Sequence, residues 1–344
     1  MEYGAIDLHT KESEIRIVTA AGEVVLHRRV ATTRAALSGV FGGRTRLRIL
    51  LESGTESEWV AQHLEELGHE VIVADPNYAL MYGQRSRRIK TDRRDVIALA
   101  EANRLGIYRP AHRVSSAQRT VRRQLQVRDQ LIRMRTQMIN LLRGQLRSEG
   151  LRIRSGHAES FVARYRAVAA SAALRAVLEP LVEALSALEP LIATADAWAH
   201  DTAHGDPVAR RLMTAPGVGP ITALTFESTL DTSTRFGGPG AVTAYLGLVP
   251  QEDTSAERQR RGPITKAGPG RIRAVLVQAS WAVWRSPRSS ATLHAWVQRL
   301  ADRRGKRIAI VALARRLARI LFAMWRDGRD FQPARLGRAA AIAA

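Results

Sequence analysis

The chain has 344 residues, with 53 Lys and Arg against 32 Asp and Glu and a net charge of +21. A surplus of that size is kept mainly by chains whose partner is a polyanion, so nucleic acid is the expected partner. The absence of cysteine excludes disulfides and thiolate zinc sites. No apolar run reaches the ~18 residues of a membrane span, and Lys11 interrupts any signal-peptide core, so a soluble intracellular protein is expected.

The length suggests two domains or more, and 45% hydrophobic content is ordinary for a globular chain. Lys11, Lys90, Lys266 and Lys306 are the only lysines. The positive charge is therefore mostly guanidinium, which grips phosphate in two-pronged fashion and stacks on bases.

In chain order, residues 3–8, 14–19 and 23–30 are short β-branched or alternating segments separated by tight-turn sequences, which predicts a three-strand meander. A helix near Arg34 follows, then a strand ending at Glu52. An amphipathic helix from Glu56 to Leu67 is closed by Gly68, and a strand from Glu70 to Ala74 is stopped by Asp75-Pro76. A helix opens at Thr91-Asp-Arg-Arg-Asp95. This β-β-β-α-β-α-β-α order predicts an α/β sheet of mixed direction with helices on its faces.

From about Val114 to His200 strand signals vanish, and two long helices broken near Gly150 to Gly156 are predicted. Val121, Leu125, Leu131, Met134, Met138, Leu141 and Leu142 recur mainly at steps of three and four, and Leu174 to Leu191 repeat the pattern. A hairpin packed on itself and an intermolecular coiled coil both fit. The region from Asp206 is punctuated by glycine, with helices expected at 271–285 and 306–325. The tail after Asp330 has little to pack and is expected to fray.

Two constellations carry chemistry. Asp7 lies in an apolar run and Glu52 ends another, where an unpaired carboxylate is costly. Asp92 and Asp95 share one helix face. A ribonuclease-H-like fold would aim all four at one point, where their mutual repulsion calls for Mg²⁺ or a similar hard ion such as Mn²⁺. The plainer reading is that Asp92 caps its helix and Asp95 pairs with Arg93 or Arg94.

The second constellation is Ser255, expected in a polar loop near Arg258, Arg260, Arg261 and Lys266, which are placed to steady a pentavalent phosphate. A serine hydroxyl needs a base or a metal to act as nucleophile. No histidine lies between His204 and His294, so a local Ser-His pair is excluded. Pro216-Gly-Val-Gly-Pro220 has the form of a helix-hairpin-helix turn, in which Gly217 and Gly219 let backbone N–H groups approach phosphate. Arg271 completes the expected nucleic-acid set.

Ala5-Ile-Asp-Leu-His9, Leu51-Glu-Ser-Gly54, Lys90-Thr-Asp-Arg-Arg-Asp-Val-Ile-Ala-Leu-Ala100, Ala215-Pro-Gly-Val-Gly219 and Tyr245-Leu-Gly-Leu-Val-Pro250 together resemble the IS-one-ten (IS110) family of insertion-sequence transposases. The match runs in order along nearly the whole chain. The resemblance implies a RuvC-like domain with an Asp-Glu-Asp-Asp set, a coiled coil, and a mainly helical transposase domain that supplies a nucleophilic serine. Carried over by motif, the acids are Asp7, Glu52, Asp92 and Asp95, and the serine is Ser255. The family's usual Ser-Ser-Gly is Thr254-Ser255-Ala256 here, leaving Ser255 as the single serine of the pair.

The domain boundaries expected on this basis are 1–112 for the RuvC-like nuclease domain, 113–204 for the coiled-coil segment, 205–332 for the serine-bearing domain and 333–344 for the tail. The resemblance further implies DNA recombination through a 5′-phosphoserine link, Mg²⁺ on the four acids, and a bridge RNA pairing with target and donor DNA. It implies a tetramer built from dimers, in which acids of one protomer face the serine of another, and a bacterial cytoplasmic, nucleoid-associated location. Two other readings stand beside it. One is a RuvC-like structure-selective nuclease using metal-activated water, and the other a non-catalytic nucleic-acid-binding protein.

Overall fold

A computed structural model describes residues 1–82, 92–255 and 258–333. It divides into two compact units, Met1–Val114 and Ser115–Ala344.

The first unit is built on one five-stranded sheet. Strands β1 (Tyr3–Asp7), β2 (Glu12–Val18) and β3 (Val24–Ala31) form an antiparallel meander, and β4 (Arg48–Glu52) and β5 (Glu70–Ala74) extend it in parallel from the other side of β1. The spatial order is β3-β2-β1-β4-β5. Alternation along the strands sorts their side chains between two layers. Ile6, Ile15, Ile17, Ile49, Leu51 and Val73 pack against α1 (Arg34–Phe41) and α2 (Ser57–Glu66). Ala5, Val18, Leu50 and Ala74 face Val96, Leu99 and Ala100 of α3 (Asp92–Leu105) on the opposite side.

Two buried polar residues fix these layers. Asn103 of α3 donates from Nδ2 to the carbonyls of Gly4 (2.7 Å) and Arg48 (2.8 Å), tying the helix to the entrances of β1 and β4. His69 accepts the Leu47 N–H at Nδ1 (3.2 Å), and its Nε2 meets the Phe41 carbonyl (3.1 Å), joining the end of α1 to the strand pair. Each such bond is worth about 1 kcal/mol net, and leaving its partner unsatisfied costs more.

The second unit starts with two long helices, α4 (Ser116–Ser148) and α6 (Ala172–Gly205). Arg128 of α4 pairs with Asp196 of α6, and Arg135 pairs with Glu189. A step of seven residues forward on one helix matches seven backward on the other, so the two run antiparallel as a hairpin within one chain. The break between them is wider than the glycine pattern suggests. It includes α5 (Phe161–Arg166), whose Phe161 and Tyr165 are buried with Leu142, Leu146, Val182 and Leu185 at the hairpin's tip. Six residues are too few to show a helical period, so sequence reasoning passed over α5.

The rest of the unit is a helical core. It comprises α7 (Pro207–Met213), α8 (Pro220–Leu230), α9 (Pro239–Tyr245), α10 (Gly270–Arg285), α11 (Ala291–Arg304) and α12 (Lys306–Asp327), with the hairpin β6 (Pro250–Ser255) and β7 (Arg258–Ile264) between α9 and α10. Leu125, Ala199 and Ala203 from the long helices join its buried cluster. The sequence predicted two helices after Gly270, and among the described residues there are three. The additional one, α11, buries only Leu293 and Val297 between a Ser290 cap and Gly305, a weak apolar stripe that pattern reading misses. Among the described residues no helix is long and apolar enough to cross a membrane.

Candidate active site and nucleic-acid interface

β1 ends on Asp7 and β4 on Glu52, and the parallel register pairs Ile6 with Leu51. The next step along both strands sets Asp7 beside Glu52, at the carboxyl ends of two neighbouring central strands. Each is two residues beyond a side chain of the α3-facing layer, Ala5 or Leu50, so both carboxylates belong to that face of the sheet. Asp7 is 8% exposed and Glu52 half-buried; His9 Nε2 lies 3.5 Å from the Asp7 carboxylate.

α3 supplies the other two acids. Asp95 is 7% exposed among Val96, Leu99 and Ala100, whereas Arg93 and Arg94 are exposed on the solvent side of the helix. Asp92 is described by its backbone, as the first residue of α3, one turn before Asp95. Lys90 and Thr91 of the same motif lie outside the described residues. The donors are all carboxylate oxygens, the chemistry that suits a hard divalent cation. Among the described residues no three His, Cys, Asp or Glu side chains form a metal-holding group.

Ser255 was expected in a loop, and its backbone is instead the last residue of β6. The antiparallel register pairs it with Arg258, the first residue of β7; residues 256 and 257 lie outside the described set. The segment is polar throughout, so it carries no hydrophobic alternation to announce a strand, and backbone pairing specifies it. Arg260 pairs with Asp253 and Arg261 with Glu252 along the same ladder.

The base of this hairpin is locked by three residues of the glycine motifs. Gly247 has φ +65°, and a Cβ there would lie 2.5 Å from the Ala267 nitrogen; a Cβ on Gly268 would lie 2.0 Å from the Tyr245 carbonyl oxygen. Lys266, with φ 55°, donates its N–H to the Gly247 carbonyl (3.1 Å), and Thr265 donates to Val249 (2.9 Å). Arg273 of α10 donates to the carbonyls of Leu246 and Gly268 and closes the arrangement. The Leu-Gly-Leu-Val-Pro and Ile-Thr-Lys-Ala-Gly blocks are thus two halves of one backbone clasp that sets where the serine-bearing hairpin projects.

Beside that base is a cleft of about 670 Å³, with Leu248, Pro250 and Ile264 on one side and Arg304, Arg307 and Arg315 on the other. Sequence reasoning passed over α11, which ends on Arg304, read α12, which carries Arg307 and Arg315, as a plain helix, and assigned none of the three. The only signal was the basic run Arg303-Arg304-Gly-Lys-Arg307.

The remaining nucleic-acid candidates have different surroundings. Gly217 (φ +75°) packs against α10, where a Cβ would lie 2.4 Å from the Ala279 carbonyl oxygen, so close packing as well as the turn demands glycine. Gly219 has open space around it and caps α8 without a side-chain hydrogen bond. The flanking helices α7 and α8 make the pair expected around Pro216-Gly-Val-Gly-Pro220. Arg271 donates to Asp129 of α4 (3.1 Å), and burial lowers its pKa, so its guanidinium is engaged inside the helical unit.

Two family models match separate segments of the chain, the first running past Val114 into α4. A DEDD-type IS110 family model described as Transposase matches residues 5–149, and the model "Transposase IS116/IS110/IS902 family" matches residues 209–295. The chain is 29% identical over 326 residues to the "Probable family 20 transposase" of Pseudomonas aeruginosa, covering 93% of this chain and 95% of that protein. It is 27% identical over 310 residues to the "Transposase for insertion sequence element IS1111A" of Coxiella burnetii, covering 88% and 84%. A third relative, the "Transposase for insertion sequence element IS1328" of Yersinia enterocolitica, is 26% identical over 334 residues, covering 95% and 97%. With acids and serine each carried on a segment that a family model matches, and with relatives aligned nearly end to end, the chain belongs to the IS110 family of transposases.

Proposed function

We propose that the protein cuts and rejoins DNA through a covalent 5′-phosphoserine link on Ser255, with Mg²⁺ or Mn²⁺ held by Asp7, Glu52, Asp92 and Asp95. The observation that carries this reading is the placement of Asp7 and Glu52 side by side at the ends of β1 and β4, on the face covered by the helix of Asp95. The strand order β3-β2-β1-β4-β5, a meander extended by parallel strands, fits a RuvC-like domain for the first unit. The long helical hairpin then serves as the coiled-coil segment, and the glycine-rich helical core as the transposase domain.

In the proposed step the Ser255 oxygen attacks the scissile phosphorus. The new Oγ–P bond forms as the P–O3′ bond breaks, and the serine proton ends on the departing 3′-hydroxyl. A cation on the four acids supplies charge neutralisation at the phosphate and a lowered pKa for the hydroxyl. The backbone clasp at Gly247, Lys266 and Gly268 holds the hairpin that presents Ser255, and the arginines of β7 and of the neighbouring cleft offset phosphate charge. Reversal on a partner strand rejoins DNA with the phosphoester energy conserved.

A bridge RNA is the proposed source of sequence choice. Arginine grips phosphate whatever the base, so a protein of this composition need read only backbone shape while base pairing selects the site. Sequencing the RNA that co-purifies with the chain tests this directly. Recovery of only random cellular RNA rejects it.

Trapping the intermediate tests the chemistry. Incubated with donor DNA, target DNA and Mg²⁺, the protein should give a denaturant-stable protein–DNA adduct that Ser255→Ala and Asp7→Asn both abolish while binding is retained. An undiminished adduct in Ser255→Ala overturns the assignment. Cleavage without any adduct favours a RuvC-like nuclease using activated water.

A further inference from the structure

Several arginines of the long helical hairpin and the core beside it are neutralised from within: Arg128 by Asp196, Arg135 by Glu159 and Glu189, and Arg271 by Asp129. Others along the shaft, Arg123 and Arg133 among them, are single exposed charges in no ion pair among the described residues. At the tip three arginines gather around one opening. Arg143 and Arg147, one turn apart near the end of α4, and Arg152, just past it, line a single open cleft of about 570 Å³ with Leu151, Ile153 and Ser155. Among the described residues none of these three guanidiniums is within ion-pair distance of an acid. Arg147 and Arg152 are exposed, and Arg143 is half-buried with its guanidinium 5.5 Å from the Phe161 ring centre.

The cleft has a built frame. Gly150 (φ +73°) turns the chain back at the end of α4, with Leu151 N–H donating to the Leu146 carbonyl (2.8 Å) and Gly150 N–H to that of Arg147 (3.0 Å). This Schellman-type closure fixes Arg152 relative to Arg147 and consumes two of the helix's terminal carbonyls. The buried tip cluster of Leu142, Leu146, Phe161 and Tyr165 keeps the arms of the cleft from collapsing. Three like charges held around one opening repel each other, and among the described residues only Arg143 of the three, over the Phe161 ring, has a partner within the fold. A cluster of that kind is stabilised by an anion that several guanidiniums contact at once.

We infer that the tip of the α4–α6 hairpin is a second nucleic-acid contact, in which Arg143, Arg147 and Arg152 grip consecutive backbone phosphates of duplex DNA away from the serine. The occupant is DNA rather than a free anion. The cleft is open and larger than a lone phosphate needs, and its polar rim is guanidinium plus the Ser155 hydroxyl, a set that reads phosphate and carries no base-edge selectivity. The inference takes DNA as the substrate from the proposed function, and it is independent of the serine chemistry.

The test is binding by the full-length chain to a labelled duplex, titrated over a range of salt in the absence of divalent ion so that no cleavage intervenes. Replacing all three arginines with alanine should raise Kd by about tenfold or more, and the salt dependence should flatten by about 2 to 3 in log–log slope, the loss of three phosphate contacts. Arg147→Ala with Arg152→Ala, which leaves Arg143 on the Phe161 ring, should give roughly two-thirds of that change. The three lysine replacements should keep the slope. An unchanged Kd and slope in the alanine variants overturns the inference, as does a loss confined to single-stranded RNA with duplex binding intact. Adduct formation at saturating DNA separates this result from the serine reading. The tip variants should still form the adduct, and its absence in wild type counts against the serine alone.

Discussion

Glu227 is the residue whose surroundings most change its chemistry. It lies in α8 only 5% exposed, and burial first, then the neighbouring Asp206 carboxylate, push its pKa up to about 8, against a partly offsetting hydrogen bond from Gln118 (3.2 Å). The carboxyl is therefore neutral in the folded chain at pH 7, while the unfolded chain releases the proton near the ordinary value of 4.5. The stability its neutral form contributes is fully present below about pH 4.5 and is lost progressively as pH rises through about 8. Glu227→Gln should flatten that decline, leaving the variant near wild type at acid pH and more stable above neutrality. Thermal unfolding across this range checks it, and parallel curves for the two proteins would rule it out. Sequence reading did not single out this glutamate, because an acid in Leu-Thr-Phe-Glu-Ser looks no different from one on a solvated face until α8 is seen to be enclosed on all sides.

At the scale of elements, the hairpin and its clasp matter most. A Cβ at position 268 would sit 2.0 Å from the Tyr245 carbonyl oxygen, a contact with backbone rather than with a yielding side chain. Gly268→Ala should therefore displace β7 from the α9 end, at a cost of about 1 to 3 kcal/mol. Adduct formation should fall by at least tenfold while the sheet unit keeps its own folding transition. An active, undisturbed Gly268→Ala protein would show that the clasp does not position Ser255. The strands and helices of the first unit were legible because their apolar residues alternate or recur along one face, and the β-β-β-α-β-α-β-α order is the one observed. The hairpin was not legible. Its strands are polar, and the feature that defines them, the Ser255–Arg258 register, is a relation between backbones that no local pattern records.

For the whole molecule the open question in the sequence was whether the long helices pack on themselves or on another chain. Within one chain they form the antiparallel hairpin, yet they retain a second apolar stripe. Val127, Met134 and Leu141 on α4, and Val177, Ala184 and Leu191 on α6, recur every seven residues; Val177 is 75% exposed and Val127, Leu141 and Leu191 are each more than half exposed. Heptad spacing of apolar residues away from the hairpin's own seam fits the dimer-built tetramer that the family resemblance implies. Leu141→Glu with Val177→Glu should lower the mass seen by light scattering or sedimentation without loss of helical circular dichroism. A monodisperse species of unchanged mass would place the assembly surface elsewhere. A tetramer with composite sites also predicts that mixing Asp7→Asn and Ser255→Ala chains restores adduct formation that neither gives alone.

Sequence by itself determined the charge, the α/β-then-helical order of elements and the candidate acids and serine, because these rest on composition, on periodicities of two and 3.6 residues, and on motifs contiguous in the chain. Tertiary structure alone decided which residues share a location. Asp7 meets Glu52 only through the parallel pairing of strands some forty residues apart. Arg271 is drawn into an ion pair with Asp129, while Arg143, Arg147 and Arg152 are left around an open cleft. The physical reason is the same in each case: the environment of a charge is set by what the fold brings against it, and side chains distant in sequence supply most of that environment.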